Sequence, residues 1–335
     1  MKKINWGILS TAKIARQHVV PAINKSKNSI LYAVASRNKK KSLNFAKKFK
    51  IKNFYSSYKE LYEDKNIDII YNPLPNHLHL QTTIDACNHK KHVLLEKPIT
   101  LRAKDVDKLI KVSKKNKVII KEAFMVRYHP QWNWIKNLIS KGEIGKVKSI
   151  STVFSFYNND PKNIRNVRNY GGGSIYDIGC YPVLISRYLL QKEPTQVVAN
   201  SVIDKKFKTD TMTTGILDFD GIHSSFICST QANYTQQVVI LGTKKTIIFE
   251  NPFNPKPNRF SNIMIYKGSS IYRQDNQLKK FLPVDQYKNQ IDYFSDIVLK
   301  RKKIDYSLTD SKKNMKVLDA LFKSLKTKTW ARIKK

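Results

Sequence analysis

The first third of the chain alternates short apolar runs with amphipathic stretches, and that alternation leaves few folds open. Runs at 4–9, 30–35, 67–71, 93–95 and 118–120 read as strands, with helical patterns at 13–24, 43–49, 79–88 and 103–115 between them. Strands separated by helices make βαβ units and a parallel sheet. After Glu122 the pattern changes to strand-like runs at 147–156, 196–202, 212–219, 224–230, 237–241 and 246–250. Several are joined by short turns such as Asp220-Gly221 and Gly242-Thr243, the mark of antiparallel pairing. Helical patterns at 286–299 and 309–325 close the chain. A length of 335 residues suits about two domains. The expectation is an α/β domain over 1–121 followed by an α+β domain over 122–335.

Composition narrows the class. No apolar run approaches the ~18 residues of a membrane span. Met1-Lys2-Lys3 runs straight into Ile4–Leu9, too short and polar a start for an export signal. Cys87, Cys180 and Cys228 are odd in number and lack CxxC spacing, which argues for reduced thiols in a cytoplasm and against zinc. Lys and Arg number 62 against 25 Asp and Glu, a formal charge of +37 that ordinarily suggests a polyanionic partner. The lysines, however, are spread through every helix and loop, the densest run being Lys39-Lys40-Lys41. That distribution, with abundant Ile and Asn, reads as compositional drift rather than as a nucleic-acid surface.

Ligands of an open parallel sheet bind at the carboxyl ends of its strands. The first strand runs into Ser10-Thr11-Ala12-Lys13-Ile14-Ala15, where a dinucleotide fingerprint would place glycines at Ser10 and Ala12. The residues there are small, so a phosphate could reach backbone N–H groups at the helix start, or the segment is a plain tight turn. The second strand ends in Ala35-Ser36-Arg37-Asn38, and no acidic residue precedes Glu60. No carboxylate is at hand for a ribose 2′-hydroxyl, whereas Ser36 and Arg37 suit a 2′-phosphate, so a bound dinucleotide should be NADP rather than NAD. Asn72-Pro73-Leu74-Pro75-Asn76-His77-Leu78-His79 follows another strand and offers uncharged hydrogen-bonding groups. His77 and His79 have no third clustered ligand, so a metal is not expected. Glu96-Lys97-Pro98 ends a further strand, where Lys97 either faces the crevice and polarises a substrate oxygen or pairs with Glu96 on the surface.

Farther on, Gly171-Gly172-Gly173-Ser174-Ile175-Tyr176-Asp177-Ile178-Gly179-Cys180-Tyr181 joins a glycine turn to a helix start. On a helix, Asp177 and Tyr181 share a face at i, i+4, and an acid beside a phenol suits proton transfer. The same residues also fit an ordinary turn, cap and packing tyrosine.

Taken in order, Glu96-Lys97-Pro98, the stretch Glu122-Ala123-Phe124-Met125-Val126-Arg127-Tyr128-His129-Pro130-Gln131, and the glycine turn with Asp177 and Tyr181 carry a resemblance. So do Leu241-Gly242-Thr243 and Asp285-Gln286-Tyr287. Over nearly its whole length the chain resembles the glucose-fructose oxidoreductase/inositol dehydrogenase/rhizopine catabolism (Gfo/Idh/MocA) family. The resemblance implies a Rossmann domain followed by a substrate domain with a large, mainly antiparallel open sheet that mediates homodimer or homotetramer contacts. It implies a nicotinamide cofactor, contacted by Ser10, Thr11, Ala12, Lys13, Ile14, Ser36, Arg37, Pro73, Leu74, Asn76, His79, Glu96 and Lys97. It maps the catalytic lysine onto Lys97, the aspartate onto Asp177 and the proton-transferring residue onto Tyr181, with a Lys97–Pro98 bond that is typically cis in the family. A tyrosine at that position is similar to the subgroup of glucose-fructose oxidoreductases, NADP-dependent D-xylose dehydrogenases and dimeric dihydrodiol dehydrogenases.

The implied reaction is hydride transfer between nicotinamide and a carbinol or carbonyl carbon of a sugar, polyol or dihydrodiol. A free phenol is a poor base at neutral pH, and a neighbouring Lys97 ammonium would favour its phenolate. Arg127, His129, Arg165 and Arg168 are candidate substrate contacts, with bracing or solvation as their alternative. Two other readings stand beside this one: a non-catalytic dinucleotide-binding regulator of a sugar pathway, and an aldose–aldose oxidoreductase with a tightly held cofactor. The presence of Lys97, Asp177 and Tyr181 together favours the dehydrogenase.

Overall fold

The structure is a computed structural model describing residues 3–268 and 276–333; Met1 and Lys2 lie outside the described residues. Two compact units divide the chain, one of Met1–Tyr128 with Asp285–Lys312, the other of His129–Val284 with Lys313–Lys335.

The first unit is built on a six-stranded sheet of β1 (Ile4–Leu9), β2 (Ser29–Ala35), β3 (Asn53–Tyr55), β4 (Ile69–Asn72), β5 (His92–Leu95) and β6 (Ile120–Glu122). All pairs are parallel, in the order β3-β2-β1-β4-β5-β6. This is the doubly wound Rossmann arrangement, with its switch point between β1 and β4. Strands buried on both faces read as continuous apolar runs, which is why β1, β4 and β5 stand out in the sequence. One sheet face is closed by the helix Gln286–Val298, far along the chain. Phe294 meets Trp6 edge to face at 5.9 Å, and the Trp6 indole N–H donates to the Ser295 hydroxyl at 3.1 Å. Ile291, Phe294 and Ile297 share one buried cluster with Trp6, Ile8 and Tyr71.

The second unit carries β7 (Val147–Tyr157), β8 (Gln196–Ile203), β9 (Asp210–Asp218), β10 (His223–Ser229), β11 (Gln231–Gly242), β12 (Lys245–Phe249), β13 (Ser261–Lys267), β14 (Asn276–Phe281) and β15 (Ala331–Arg332). They form one sheet in the order β14-β13-β12-β11-β7-β10-β9-β8-β15, antiparallel except for the parallel pair β7 and β10. The two faces differ. Ile150, Phe154, Phe226, Val238 and Ile240 are buried, whereas Val202, Met212, Ile227, Leu241 and Leu278 are exposed. The cross-strand register puts those five exposed side chains on one face, because Val202 opposes Met212 and the pairs step by two from there. Among the described residues, no helix is long and apolar enough to cross a membrane.

Candidate active site

In the first unit the candidate residues gather at the carboxyl ends of β1, β2, β4 and β5. Ser10 closes β1 with φ +67°, a left-handed torsion that glycine takes without cost and serine does not. Its N–H donates to Ala35 at the end of β2, and its hydroxyl accepts the Ala12 N–H at 3.3 Å. Thr11, Ala12 and Ile14 are half-buried and Lys13 exposed, after which the chain enters a single π-helical turn, Ala15–Val19. Ser36 is buried, whereas Arg37 is exposed and hydrogen-bonds Tyr58.

After β4, the fully buried Asn72 ties the loop down: its amide donates to Thr82 and Thr83, and its oxygen accepts the Leu74 N–H. Pro73 and Leu74 are buried and Asn76 half-buried. His79 is fully enclosed, its ring nitrogens 2.9 Å from the Pro98 carbonyl and 2.7 Å from the Leu74 carbonyl. Burial pushes its pKa down to about 4, and a neutral ring donates to one of these carbonyls at a time. Glu96 accepts from the Tyr71 hydroxyl at 2.7 Å and from the Lys97 N–H at 3.3 Å. Lys97 is half-buried, its peptide bond to Pro98 is cis, and the next N–H, of Ile99, donates to Glu122 at 2.9 Å.

The second unit holds Asp177 and Tyr181. Gly171 and Gly173 have φ of +76° and +113°. A Cβ on Gly173 would lie 2.0 Å from an Asp210 carboxylate oxygen, and one on Gly172 would lie 2.4 Å from the Arg165 carbonyl oxygen. Glycine is therefore demanded here by both torsion and space. A π-helical turn, Ile175–Gly179, follows, and only then the α-helix Cys180–Leu190. The Asp177–Tyr181 spacing thus crosses a π-to-α junction instead of lying on one regular helix, because the wider turn takes up an extra residue. Asp177 is buried and accepts from the Arg165 guanidinium at 2.6 Å. The Tyr181 ring packs against Phe154 and Phe253, at centroid distances of 5.5 and 5.3 Å.

Two families of sequence model match: an oxidoreductase family with an NAD-binding Rossmann fold over residues 4–124, and the GFO/IDH/MocA C-terminal domain over 132–248. An uncharacterized oxidoreductase of Rhizobium meliloti is 37% identical over 331 residues, covering 98% of this chain and 99% of that protein. A D-xylose 1-dehydrogenase (NADP(+)) of Haloferax volcanii is 30% identical, covering 96% and 97%. A trans-1,2-dihydrobenzene-1,2-diol dehydrogenase of Xenopus tropicalis is 31% identical over 77% of this chain and 84% of that one. The chain belongs to the Gfo/Idh/MocA oxidoreductase family. In fold it also matches a crystal structure of a 3-ketoreductase from Actinomadura kijaniata in complex with NADP and TDP-benzene, with TM-score 0.91 at 23% identity, over 96% of this chain and 98% of that one.

For a Gfo/Idh/MocA oxidoreductase, the remaining sequence-derived candidates fall in contrasting places. Arg127 pairs with Asp310, its guanidinium 4.0 Å from the centre of the Tyr306 ring, and Lys121, paired with Asp305, lies 3.4 Å from the same centre. His129 is 2% exposed and caps the helix Pro130–Ser140 by accepting the Gln131 N–H; burial brings its pKa to about 4. Arg168 is exposed on the loop before the glycines. Among the described residues no cluster of His, Cys, Asp and Glu is arranged to hold a metal ion.

Sequence reading assigned no role to Asp210 or Glu122. Asp210, on β9, accepts the Ile175 N–H at 2.7 Å and the Ser174 hydroxyl at 2.9 Å, and so carries the start of the π turn. Glu122 does the same beneath Ile99. Burial raises the pKa of both, that of Glu122 to about 7. Asp177 was readable from the sequence as a cap; Asp210, which takes the Ile175 N–H from 35 residues away, was not.

Proposed function

We propose that this oxidoreductase transfers hydride between NADP and a carbinol or carbonyl carbon of a sugar, polyol or dihydrodiol, using Lys97, Asp177 and Tyr181. The observation that carries the reading is Lys97 at the carboxyl end of β5, where an open parallel sheet binds its ligand, in a chain that also keeps Asp177 and Tyr181 behind a glycine turn. Relatives named for NADP-linked oxidation of D-xylose and for dihydrobenzenediol support the substrate class.

The residues fit a phosphorylated dinucleotide. The left-handed Ser10 bends the chain away from β1, and Thr11, Ala12, Lys13 and Ile14 follow at a helix start, where N–H groups favour phosphate. Exposed Arg37 with Ser36 supplies a cation and a hydroxyl at the end of β2, where an NAD-specific fold keeps an acid. Pro73, Leu74, Asn76, His79 and Glu96 complete this set, either directly or by holding the loops after β4 and β5.

NADP, when bound, supplies the hydride acceptor or donor. In the reduction direction, the Lys97 ammonium polarises the carbonyl oxygen, Asp177 orients it, and the Tyr181 hydroxyl delivers the proton that completes the carbinol. Oxidation reverses each role. Arg168, exposed before the glycines, is offered as a substrate contact. The exposed apolar face of the second sheet supports a homodimer or homotetramer, and Cys87, Cys180 and Cys228, buried and outside any disulfide, are in keeping with a cytoplasmic enzyme.

A fluorescence titration with NADPH and NADH, followed by turnover of D-xylose, other aldoses, inositols and trans-dihydrodiols, tests the reading. Tighter binding of NADPH is expected, with losses of roughly 100-fold or more in kcat for Lys97→Ala and Tyr181→Phe. Preference for NADH overturns the role of Ser36 and Arg37; a fully active Tyr181→Phe removes the proton donor.

A further inference from the structure

Arg165, read from the sequence as a candidate substrate contact, stands twelve residues before Asp177, and the contacts around it form a closed circuit. Its Nε donates to Asp177 Oδ2 at 2.6 Å. The Asp177 N–H donates to the Gly173 carbonyl at 3.1 Å, and the Gly173 N–H donates back to the Arg165 carbonyl at 2.9 Å. The remaining backbone group of Arg165, its N–H, is taken by the Asn163 side chain at 3.1 Å. Buried Asn166 then anchors the same loop to the Asn158 and Asp160 carbonyls. No Cβ fits on Gly172 without displacing the Arg165 carbonyl, so the glycine turn and the arginine backbone pack directly.

We propose that Arg165 is a positioning residue for Asp177: the glycine turn fixes the arginine backbone, and the planar guanidinium fixes the plane of the aspartate carboxylate. This rests on the reading of Asp177 as the group that orients the substrate oxygen. An arginine is suited to the task because its Nε–H has a direction set by the rigid guanidinium plane, whereas a lysine ammonium holds a carboxylate as a point charge. Arg165 keeps 38% of its side chain exposed, so the pair is open to ions from solution as well as held by the loop.

The test uses the full-length enzyme with NADP and D-xylose, or the panel member turned over fastest. Arg165→Ala is expected to lower kcat by roughly 10–100-fold through misorientation of Asp177, with little change in KM. Arg165→Lys should retain an intermediate rate. Millimolar guanidinium should restore part of the lost kcat in Arg165→Ala, and tetramethylammonium should not. Arg165→Ala combined with Asp177→Asn should be no slower than Asp177→Asn alone, since the two act as one unit. Unchanged kcat in Arg165→Ala with a slow Asp177→Asn overturns the proposal and leaves the reading of Asp177 intact. A fast Asp177→Asn overturns that reading itself. A rise in KM alone assigns Arg165 to direct substrate contact, and loss of folding in both Arg165 variants without guanidinium rescue assigns it to structure; either result overturns the proposal.

Discussion

The loop carrying Lys97 and the loop leading to Asp177 are each held by a buried carboxylate that accepts a backbone N–H, yet they are constrained in opposite ways. Glu122 takes the Ile99 N–H and the Ser311 hydroxyl, under a segment whose Pro98 and Ile99 are themselves buried. Asp210 takes the Ile175 N–H and the Ser174 hydroxyl, and its other oxygen is the wall against which Gly173 lies. The Lys97 loop is filled by side chains and rests on a fully enclosed acid. The Asp177 loop is emptied of side chains so that backbone can approach an acid and an arginine. Burial raises the pKa of both acids, but only the Asp177 loop is also closed to any added atom.

The largest effect follows from the wall. Gly173→Ala places a methyl group on Asp210 at a torsion of +113° that L side chains rarely adopt. Strain and overpacking together should cost about 3 kcal/mol or more. Denaturant unfolding of the purified variant checks this, and a loss below about 1 kcal/mol would show that the loop is not closed around Asp210.

The helix–strand alternation made the first unit legible because its central strands are apolar on both faces. β3 and the helix Tyr58–Glu63 escaped because three and six residues are too short to establish a period. β14 escaped for a different reason: Asn276–Phe281 is an edge strand exposed along nearly all its length, so no buried face imprinted an alternation. The helical period of 286–299 was readable, but nothing local could say that Phe294 would lie against Trp6. At the candidate site, Lys97 was legible as a residue type just before a punctuating proline, and Asp177 and Tyr181 just after punctuating glycines. Their supports were not, because Glu122, Asp210 and His79 gain their roles from burial and from partners distant in sequence.

A second effect is the pH dependence carried by Glu122. Glu122 has a pKa of about 7 in the folded chain against an ordinary 4.5, so the folded state binds the extra proton. Stability from this group is present below the ordinary value and is lost as pH rises through about 7. At about 1.4 kcal/mol per unit, the full window is worth up to about 3 kcal/mol. Glu122→Gln keeps an oxygen for the Ile99 N–H and removes the titration. The stability difference between variant and parent should therefore move in favour of Gln between pH 5 and pH 8, as read by denaturant midpoints; a constant difference would place Glu122 among ordinary ionised acids.

The smallest effect belongs to Ser10, which shares the left-handed torsion of the glycine turn but not its wall. At φ +67° a serine bears roughly 1 kcal/mol of backbone strain that glycine would relieve. Against that, glycine loosens the unfolded chain by a comparable amount, about 0.5–1 kcal/mol, and gives up the hydroxyl that accepts the Ala12 N–H. Ser10→Gly should thus leave stability within about 0.5 kcal/mol of the parent. Ser10→Ala retains the strain while losing the hydroxyl, and should be the less stable of the two by denaturant unfolding. If Ser10→Gly instead falls well below Ser10→Ala, the unfolded-state cost of glycine outweighs the relieved torsion; the serine would then be favoured at this turn for chain stiffness, while Gly173 remains required for want of room.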